Sequence, residues 1–181
     1  IWLFIFISAL FSCTVEKDKI TEQLASVSVP EFNADSSYFF VEQQVRFGPR
    51  IPNSQAHQAA GDYLIHQLEK YAATVMEQKF VATSFDHQTL NLRNIIASFN
   101  PDVSKRILLA AHWDTRPFAD KDPQHKDAPF DGANDGASGV GVLMEIARVL
   151  SKHDSLNIGV DIILFDGEDW GERDGDQHEI P

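Results

Sequence analysis

Three short clusters of acidic and histidine residues are the strongest candidates for chemistry in this chain. They are 112–114 (His-Trp-Asp), 131–139 (Asp-Gly-Ala-Asn-Asp-Gly-Ala-Ser-Gly) and 166–172 (Asp-Gly-Glu-Asp-Trp-Gly-Glu). Taken singly, each has an ordinary explanation: a loop histidine, a helix cap and a solvated acidic pair. Taken together, they offer nitrogen and oxygen ligands of the kind that zinc binds. The acidic glycine run contains no lysine, so it does not match a phosphate-binding loop.

The elements that must position these clusters follow a strand, helix, strand order. Residues 106–111 and 158–165 are short apolar runs, and the first is typical of a strand buried on both faces. Between them, apolar residues from 140 to 150 recur at helical spacing. This order predicts two parallel strands joined by a crossover helix. Ligands in such sheets bind beyond the carboxyl ends of the strands, which is where the clusters fall.

The upstream part of the chain supplies further elements. A short helix is predicted over 37–47, and a second helix after the turn and cap signal of Pro52, Asn53 and Ser54. Partial alternation of apolar and polar residues predicts strands over 74–83 and 90–99. The fold class is therefore α/β: a three-layer sandwich with a central mixed, mainly parallel sheet flanked by helices. The polar end of the chain indicates that this domain is truncated at its C-terminus.

Composition narrows the classes of partner. The chain has 181 residues and a formal net charge of −12, which disfavours nucleic-acid binding through phosphate contacts. Six acidic residues lie between His112 and Gly136, and eight more lie between Asp161 and Glu179. The single cysteine, Cys13, excludes an intrachain disulfide and a cysteine-rich zinc finger.

The start of the chain reads as an export signal. Residues 2–11 are almost all apolar but too few to span a membrane, which needs roughly 20 residues. They are followed by Leu-Phe-Ser-Cys (10–13), which resembles a bacterial lipobox with Cys13 as the lipidated residue. An ordinary signal peptide with an incidental cysteine is the alternative. We therefore expect a signal peptide over 1–12, a lipid-anchored tether over 13–35, and the N-terminal part of an enzyme domain over 36–181. The expected location is periplasmic or cell-envelope, with membrane contact only through the anchor.

The residues of these motifs and their order along the chain resemble the co-catalytic zinc aminopeptidase superfamily and, within it, the animal-like bacterial glutaminyl cyclases. The resemblance runs from about residue 47 to 171. It includes Arg-Ile-Pro-Asn-Ser at 50–54, the stretch 94–101 and the motif Phe-Asp-Gly-Glu-Asp at 165–169. The run Gly-Ala-Ser-Gly at 136–139 is closer to the peptidases than to the animal cyclases. Peptidase activity therefore remains an alternative to cyclase activity.

The resemblance implies a role for each matching residue. Asp135 and Asp169 would be zinc ligands, and Glu168 would be the general acid/base. One zinc is expected for a cyclase, with His112 beside the metal site. For an aminopeptidase two are expected, with His112 as a ligand. The usual Glu-Glu pair is Glu168-Asp169 here, which shortens the second side chain by one C–C bond, about 1.5 Å.

The expected activity is conversion of an N-terminal glutamine to pyroglutamate with release of ammonia, on peptide or protein N-termini. The first alternative is a zinc aminopeptidase that hydrolyses N-terminal residues. The second is a non-catalytic surface lipoprotein that keeps the fold as a binding module. A retained Glu168 disfavours the binding module, because binding alone needs no positioned base.

Overall fold

The computed structural model describes residues 29–153 and 156–172. Its elements in chain order are helix α1 (Ala34–Arg46), helix α2 (Gln55–Leu68), strands β1 (Thr74–Thr83), β2 (Thr89–Phe99) and β3 (Arg106–His112), helix α3 (Ala137–Leu150) and strand β4 (Gly159–Phe165). The predicted signal peptide, Cys13 and the tether up to residue 28 lie outside these residues, so the lipid anchor and the exported location stay predictions. The predicted tether extends too far, because its last two residues, 34 and 35, belong to α1. Within the described part, no helix has the length and apolarity needed to cross a membrane.

The four strands form one mixed sheet in the order β1-β2-β4-β3. Strands β3 and β4 are parallel, with His112 opposite Phe165, as the strand, helix, strand order predicts. β2 is antiparallel to both β1 and β4, and a short loop over 84–88 joins it to β1 as a hairpin. The α/β class and the mixed sheet are confirmed. A mainly parallel sheet was expected, but among the described strands only the pairing of β3 with β4 is parallel.

The first two helices begin at side-chain caps. The Asn33 side chain accepts a hydrogen bond of 2.9 Å from the Ser36 amide, so α1 begins at Ala34, three residues before the predicted start. The Ser54 hydroxyl accepts a bond of 3.1 Å from the His57 amide and starts α2, as the turn signal predicts.

One hydrophobic core joins the helices to the sheet. Its members include buried side chains from all three helices and one face of β2 and β4: Phe40, Leu64, Leu68, Ile95, Ala97, Phe99, Met144, Val160, Ile162 and Leu164. The alternation of buried residues along β4 places its even-numbered side chains on this face. A second helical layer is not seen among the described residues.

Strand β3 differs from its prediction. A strand buried on both faces was expected, yet Ile107 is 48% exposed and Leu108 is 58% exposed. For the described residues that prediction is wrong, because β3 is the last strand in the sheet order and pairs only with β4. An apolar run shows that a strand can be buried but does not show how many neighbours it has.

The buried Glu145 carboxylate of α3 is bonded both to the cap residue of α1 and, within α3, to Arg148. The Glu145 side chain is fully buried, accepts a bond of 2.8 Å from the Asn33 amide, and receives Nε of Arg148 at 2.6 Å. These contacts, that of Arg148 above all, lower the pKa of Glu145 to about 2.

We expect Glu145→Gln to lower the free energy of unfolding at neutral pH by about 2 kcal/mol, the usual range for charge-assisted hydrogen bonds. Because the folded-state pKa is depressed, the contribution is present above pH 4.5 and is lost as the pH falls toward 2. Urea unfolding at several pH values measures it. Glu42→Gln, on an exposed pair with Arg46 at 3.9 Å, should change stability by less than about 0.5 kcal/mol. A difference between wild type and Glu145→Gln that persists at pH 2 would contradict the assignment.

Candidate active site

The three polar clusters meet at the carboxyl edge of β3 and β4. The two parallel strands end side by side, and the Trp113 amide donates a 3.0 Å hydrogen bond to the Phe165 carbonyl just beyond them. The loop of the second cluster packs against that of the first: a Cβ at Gly136, whose φ is +86°, would lie 2.9 Å from the Asp114 carbonyl oxygen. Only glycine allows this backbone conformation together with so close an approach. The predicted convergence of the clusters is therefore present.

His112 bridges two of these loops. Its Nε2 lies 3.0 Å from Oδ1 of Asp135, while its Nδ1 lies 3.5 Å from Asp114 and 3.7 Å from Glu168. The Asp114 carboxylate, with smaller contributions from Glu168 and Asp135, raises the pKa of His112 to about 9. The imidazole is thus surrounded by three carboxylates, and its buried Nδ1 has no hydrogen-bond partner among the described residues.

Asp114 connects the first loop to the acidic pair. This fully buried carboxylate accepts bonds of 3.2 Å from the amides of both Glu168 and Asp169, one on each oxygen. Sequence reasoning treated Asp114 as part of a motif without giving it a task. Its contacts show that it fixes the backbone from which the two neighbouring acids project.

The adjacent acids occupy different environments. The Glu168 side chain is 62% exposed, whereas that of Asp169 is 10% exposed. Asp169 accepts a 2.9 Å bond from the Arg116 amide, and its Oδ1 lies 4.0 Å from the Arg116 guanidinium. Burial, reinforced by the charges of Asp135 and Asp114, raises the pKa of Asp169. One acid is therefore accessible and the other is held in place.

A buried histidine and aspartate brace the loop that carries this pair. Nε2 of His57 lies 2.8 Å from Asp166, and the imidazole stacks on Trp113 with ring centroids 4.5 Å apart. Asp166 also accepts a 2.7 Å bond from the Arg93 amide. Sequence reasoning missed His57. Its helical register with Ala60, a buried position of α2, is the signal that could have placed it inside.

Arg50 is the other residue whose role the sequence did not reveal. Its side chain is fully buried and donates to backbone carbonyls of two site loops. Burial lowers its pKa to about 10, although the charges of Asp114 and Asp131 act in the opposite direction. In the sequence, Arg50 was noted only as the first residue of the stretch 50–54 that resembles the family. No local pattern marks it as buried.

The donor set has the chemistry of a partial zinc site. Oxygen ligands and an imidazole suit zinc. Burial and, to a smaller extent, the charges of Asp135 and Asp114 raise the pKa of Asp169, and a bound cation would stabilise its carboxylate. Among the described residues, no three His, Cys, Asp or Glu side chains are grouped as the ligands of one ion. The ligand roles of Asp135, Asp169 and His112 therefore stay predictions.

A small cavity opens beside Asp135. Its volume is about 240 Å³. Its lining includes Arg116, Asp120, Phe130 and Asp135. A larger cavity of about 590 Å³ lies away from the acidic pair, between α2 and the β1–β2 hairpin. The smaller cavity is the one that adjoins the candidate chemistry, and it combines an aromatic wall with charged groups.

Comparison with known proteins shows which protein family this chain resembles. The sequence model described as peptidase family M28 matches residues 94–176. A bovine (Bos taurus) glutaminyl-peptide cyclotransferase is 28% identical over 139 residues, covering 69% of this chain and 37% of that protein. Over that segment the chain is similar to peptidase family M28.

Two solved structures are more similar in sequence to this chain than the bovine protein is. A Tannerella forsythia glutaminyl cyclase is 46% identical with a TM-score of 0.80, covering 84% of this chain and 53% of that one. A Zn-dependent exopeptidase from Parabacteroides distasonis is 50% identical with a TM-score of 0.80, covering 85% and 53%. This chain thus spans about half the length of these structures, and the glutaminyl cyclase resemblance drawn from its motifs is confirmed.

Proposed function

We propose that the whole protein is a zinc-dependent glutaminyl-peptide cyclotransferase. The observation that carries the proposal is the division of the acidic pair, in which Glu168 is accessible and Asp169 is buried and anchored. A cyclase needs one mobile proton carrier beside one fixed metal ligand, and adjacent residues on extended chain can face opposite ways to provide both. The similarity to a bacterial glutaminyl cyclase supports the same assignment.

The reaction needs no protein nucleophile. The substrate's α-amine nitrogen attacks the δ-carbon of its own glutamine side chain, a C–N bond forms, and the bond from that carbon to the amide nitrogen breaks. Zinc, held by Asp135 and Asp169 with ligands beyond the described residues, would supply Lewis-acid polarisation of the amide carbonyl. Glu168 takes the proton from the α-amine and delivers it to the nitrogen that leaves as ammonia. Asp114 keeps Glu168 in place through its backbone amide.

The rival activity is hydrolysis of the first peptide bond. It is favoured by the similarity to a Zn-dependent exopeptidase and by the position of His112 next to Asp135, where it could join a second ion. In that reaction Glu168 would activate a water molecule instead of the substrate's amine. The two activities differ in the nucleophile, which makes them separable by product.

The test uses the full-length zinc-loaded protein with two peptides that differ only in their first residue. We expect the Gln-peptide to be converted to the pyroglutamyl-peptide with one ammonia released per turnover, and the Leu-peptide to remain intact. Mass spectrometry and an ammonia assay follow both products. Release of free leucine that increases with a second equivalent of zinc, without ammonia from the Gln-peptide, would falsify the cyclase proposal and make His112 a ligand.

A further inference from the structure

A buried arginine lies under the junction of the site loops. Arg50 is fully buried, and its Nε donates a 2.9 Å bond to the Trp113 carbonyl in the loop after β3. Its two terminal nitrogens reach the loop before α3, at the carbonyls of Asp131 (2.8 Å) and Gly132 (3.0 Å). One guanidinium therefore binds the loop that follows His112, the last residue of β3, and the loop that carries Asp135.

The fit around this guanidinium leaves little freedom. A Cβ at Gly132 would lie 2.9 Å from Nη2 of Arg50 and would also contact the Thr115 side chain. The Thr115 amide donates a 3.2 Å bond back to the Arg50 carbonyl, so the arginine is tied to the first loop through its backbone as well. A lysine ammonium cannot reproduce this planar fork of donors.

The charge of Arg50 is balanced within the site. Asp114 is its principal opposite charge, and Asp114 in turn holds the amides of Glu168 and Asp169. The three clusters are thus connected through one cation and one carboxylate, both fully buried. Because these contacts join the three clusters, a change at Arg50 is expected to affect all of them.

We propose that Arg50 is a positioning residue that sets the spacing between the loops of His112 and Asp135 and thereby the affinity of the zinc site. The inference rests on the proposed zinc site. It predicts that the arginine acts on metal binding beyond any general effect on folding, because its hydrogen bonds fix the loops that carry the ligands.

Arg50→Lys tests this, with Arg106→Lys as the matched control. Arg106 binds Asp161 and the carbonyls of Asn100 and Val103, so it is equally well bonded but lies at the opposite end of β3. In the full-length protein, chelator competition should show zinc affinity about 10–100-fold weaker in Arg50→Lys, the usual range for residues supporting metal ligands. The absorption spectrum of the cobalt-substituted protein should change as well. Arg106→Lys should retain the wild-type zinc affinity and cobalt spectrum.

Gly132→Ala is the second variant. It keeps the guanidinium, but at a φ of +57° its Cβ would crowd the Thr115 side chain, the Asp135 carbonyl oxygen (2.8 Å) and Nη2 of Arg50 (2.9 Å), so it disturbs the same junction of the loops. We expect weaker zinc binding and an altered cobalt spectrum here too. Wild-type zinc affinity in a folded Arg50→Lys would overturn the inference while leaving the proposed function intact. Failure of both variants to fold, with Arg106→Lys folded, would also overturn it, since the role would then be general stability. A wild-type protein that binds no zinc would overturn the proposed function and this inference together.

Discussion

Glu168→Gln should lower turnover of a Gln-peptide about 10²–10⁴-fold while the bound zinc content stays at the wild-type level. Gln keeps the size of the side chain and its backbone contact to Asp114, but it has no carboxylate to accept the α-amine proton. Because the Glu168 side chain is 62% exposed, its replacement leaves no buried group unpaired, and folding should be unaffected.

Glu172→Gln is the matched control for this variant. Glu172 is an exposed acid four residues further along the same chain segment, so the substitution makes the same change of charge without touching the proposed proton carrier. Its turnover should remain near wild type. Steady-state ammonia release and elemental analysis on the same samples distinguish the outcomes. Loss of zinc from Glu168→Gln would mean that Glu168 is the ligand and that the roles in the acidic pair are reversed.

The location of the site could be predicted from sequence because it depends on local patterns. Two apolar runs separated by an amphipathic helix predict parallel strands, and parallel strands bring their carboxyl ends to one edge. That order predicts that β3 and β4 are parallel, and the structure places His112 opposite Phe165 at their carboxyl ends. The acids after each strand therefore had to lie near one another, whatever the rest of the fold.

The supporting contacts could not be predicted, because they join residues far apart in the chain. His57 reaches Asp166 across 109 positions, and Arg50 reaches Trp113 across 63 positions. Arg50 carries no local sign of burial, since arginine is mostly exposed. His57 shares a helical register with buried Ala60, but that register does not reveal its partner Asp166. The exposure of β3 was missed for a related reason: apolar composition does not reveal where a strand stands in the sheet order.

Asp169→Asn should weaken zinc binding more than about 100-fold and abolish ammonia release, because removing a ligand costs more than removing its support. For the metal-free protein, the structure predicts that the same substitution does not lower stability. There the Asp169 carboxylate is buried near the charges of Asp135 and Asp114, which raise its pKa, so removing its charge should leave the apoprotein as stable as wild type or more so. Asn retains an acceptor for the 2.9 Å bond from the Arg116 amide.

The sign of the stability change should therefore reverse with zinc. Thermal melts with excess chelator should give Asp169→Asn a melting temperature at or above wild type, whereas zinc should raise the wild-type value and leave the variant unmoved. Asp102→Asn, an exposed acid in the turn between β2 and β3, is the control and should follow wild type in both conditions. A variant that is destabilised without zinc and still gains stability with zinc would show that Asp169 is a structural acid and not a ligand. The measurement also tests how the short Asp169 side chain reaches the site. The Arg116 amide donates to its carboxylate, and its own amide donates to Asp114. These two bonds fix the backbone so that it brings the carboxylate to the site.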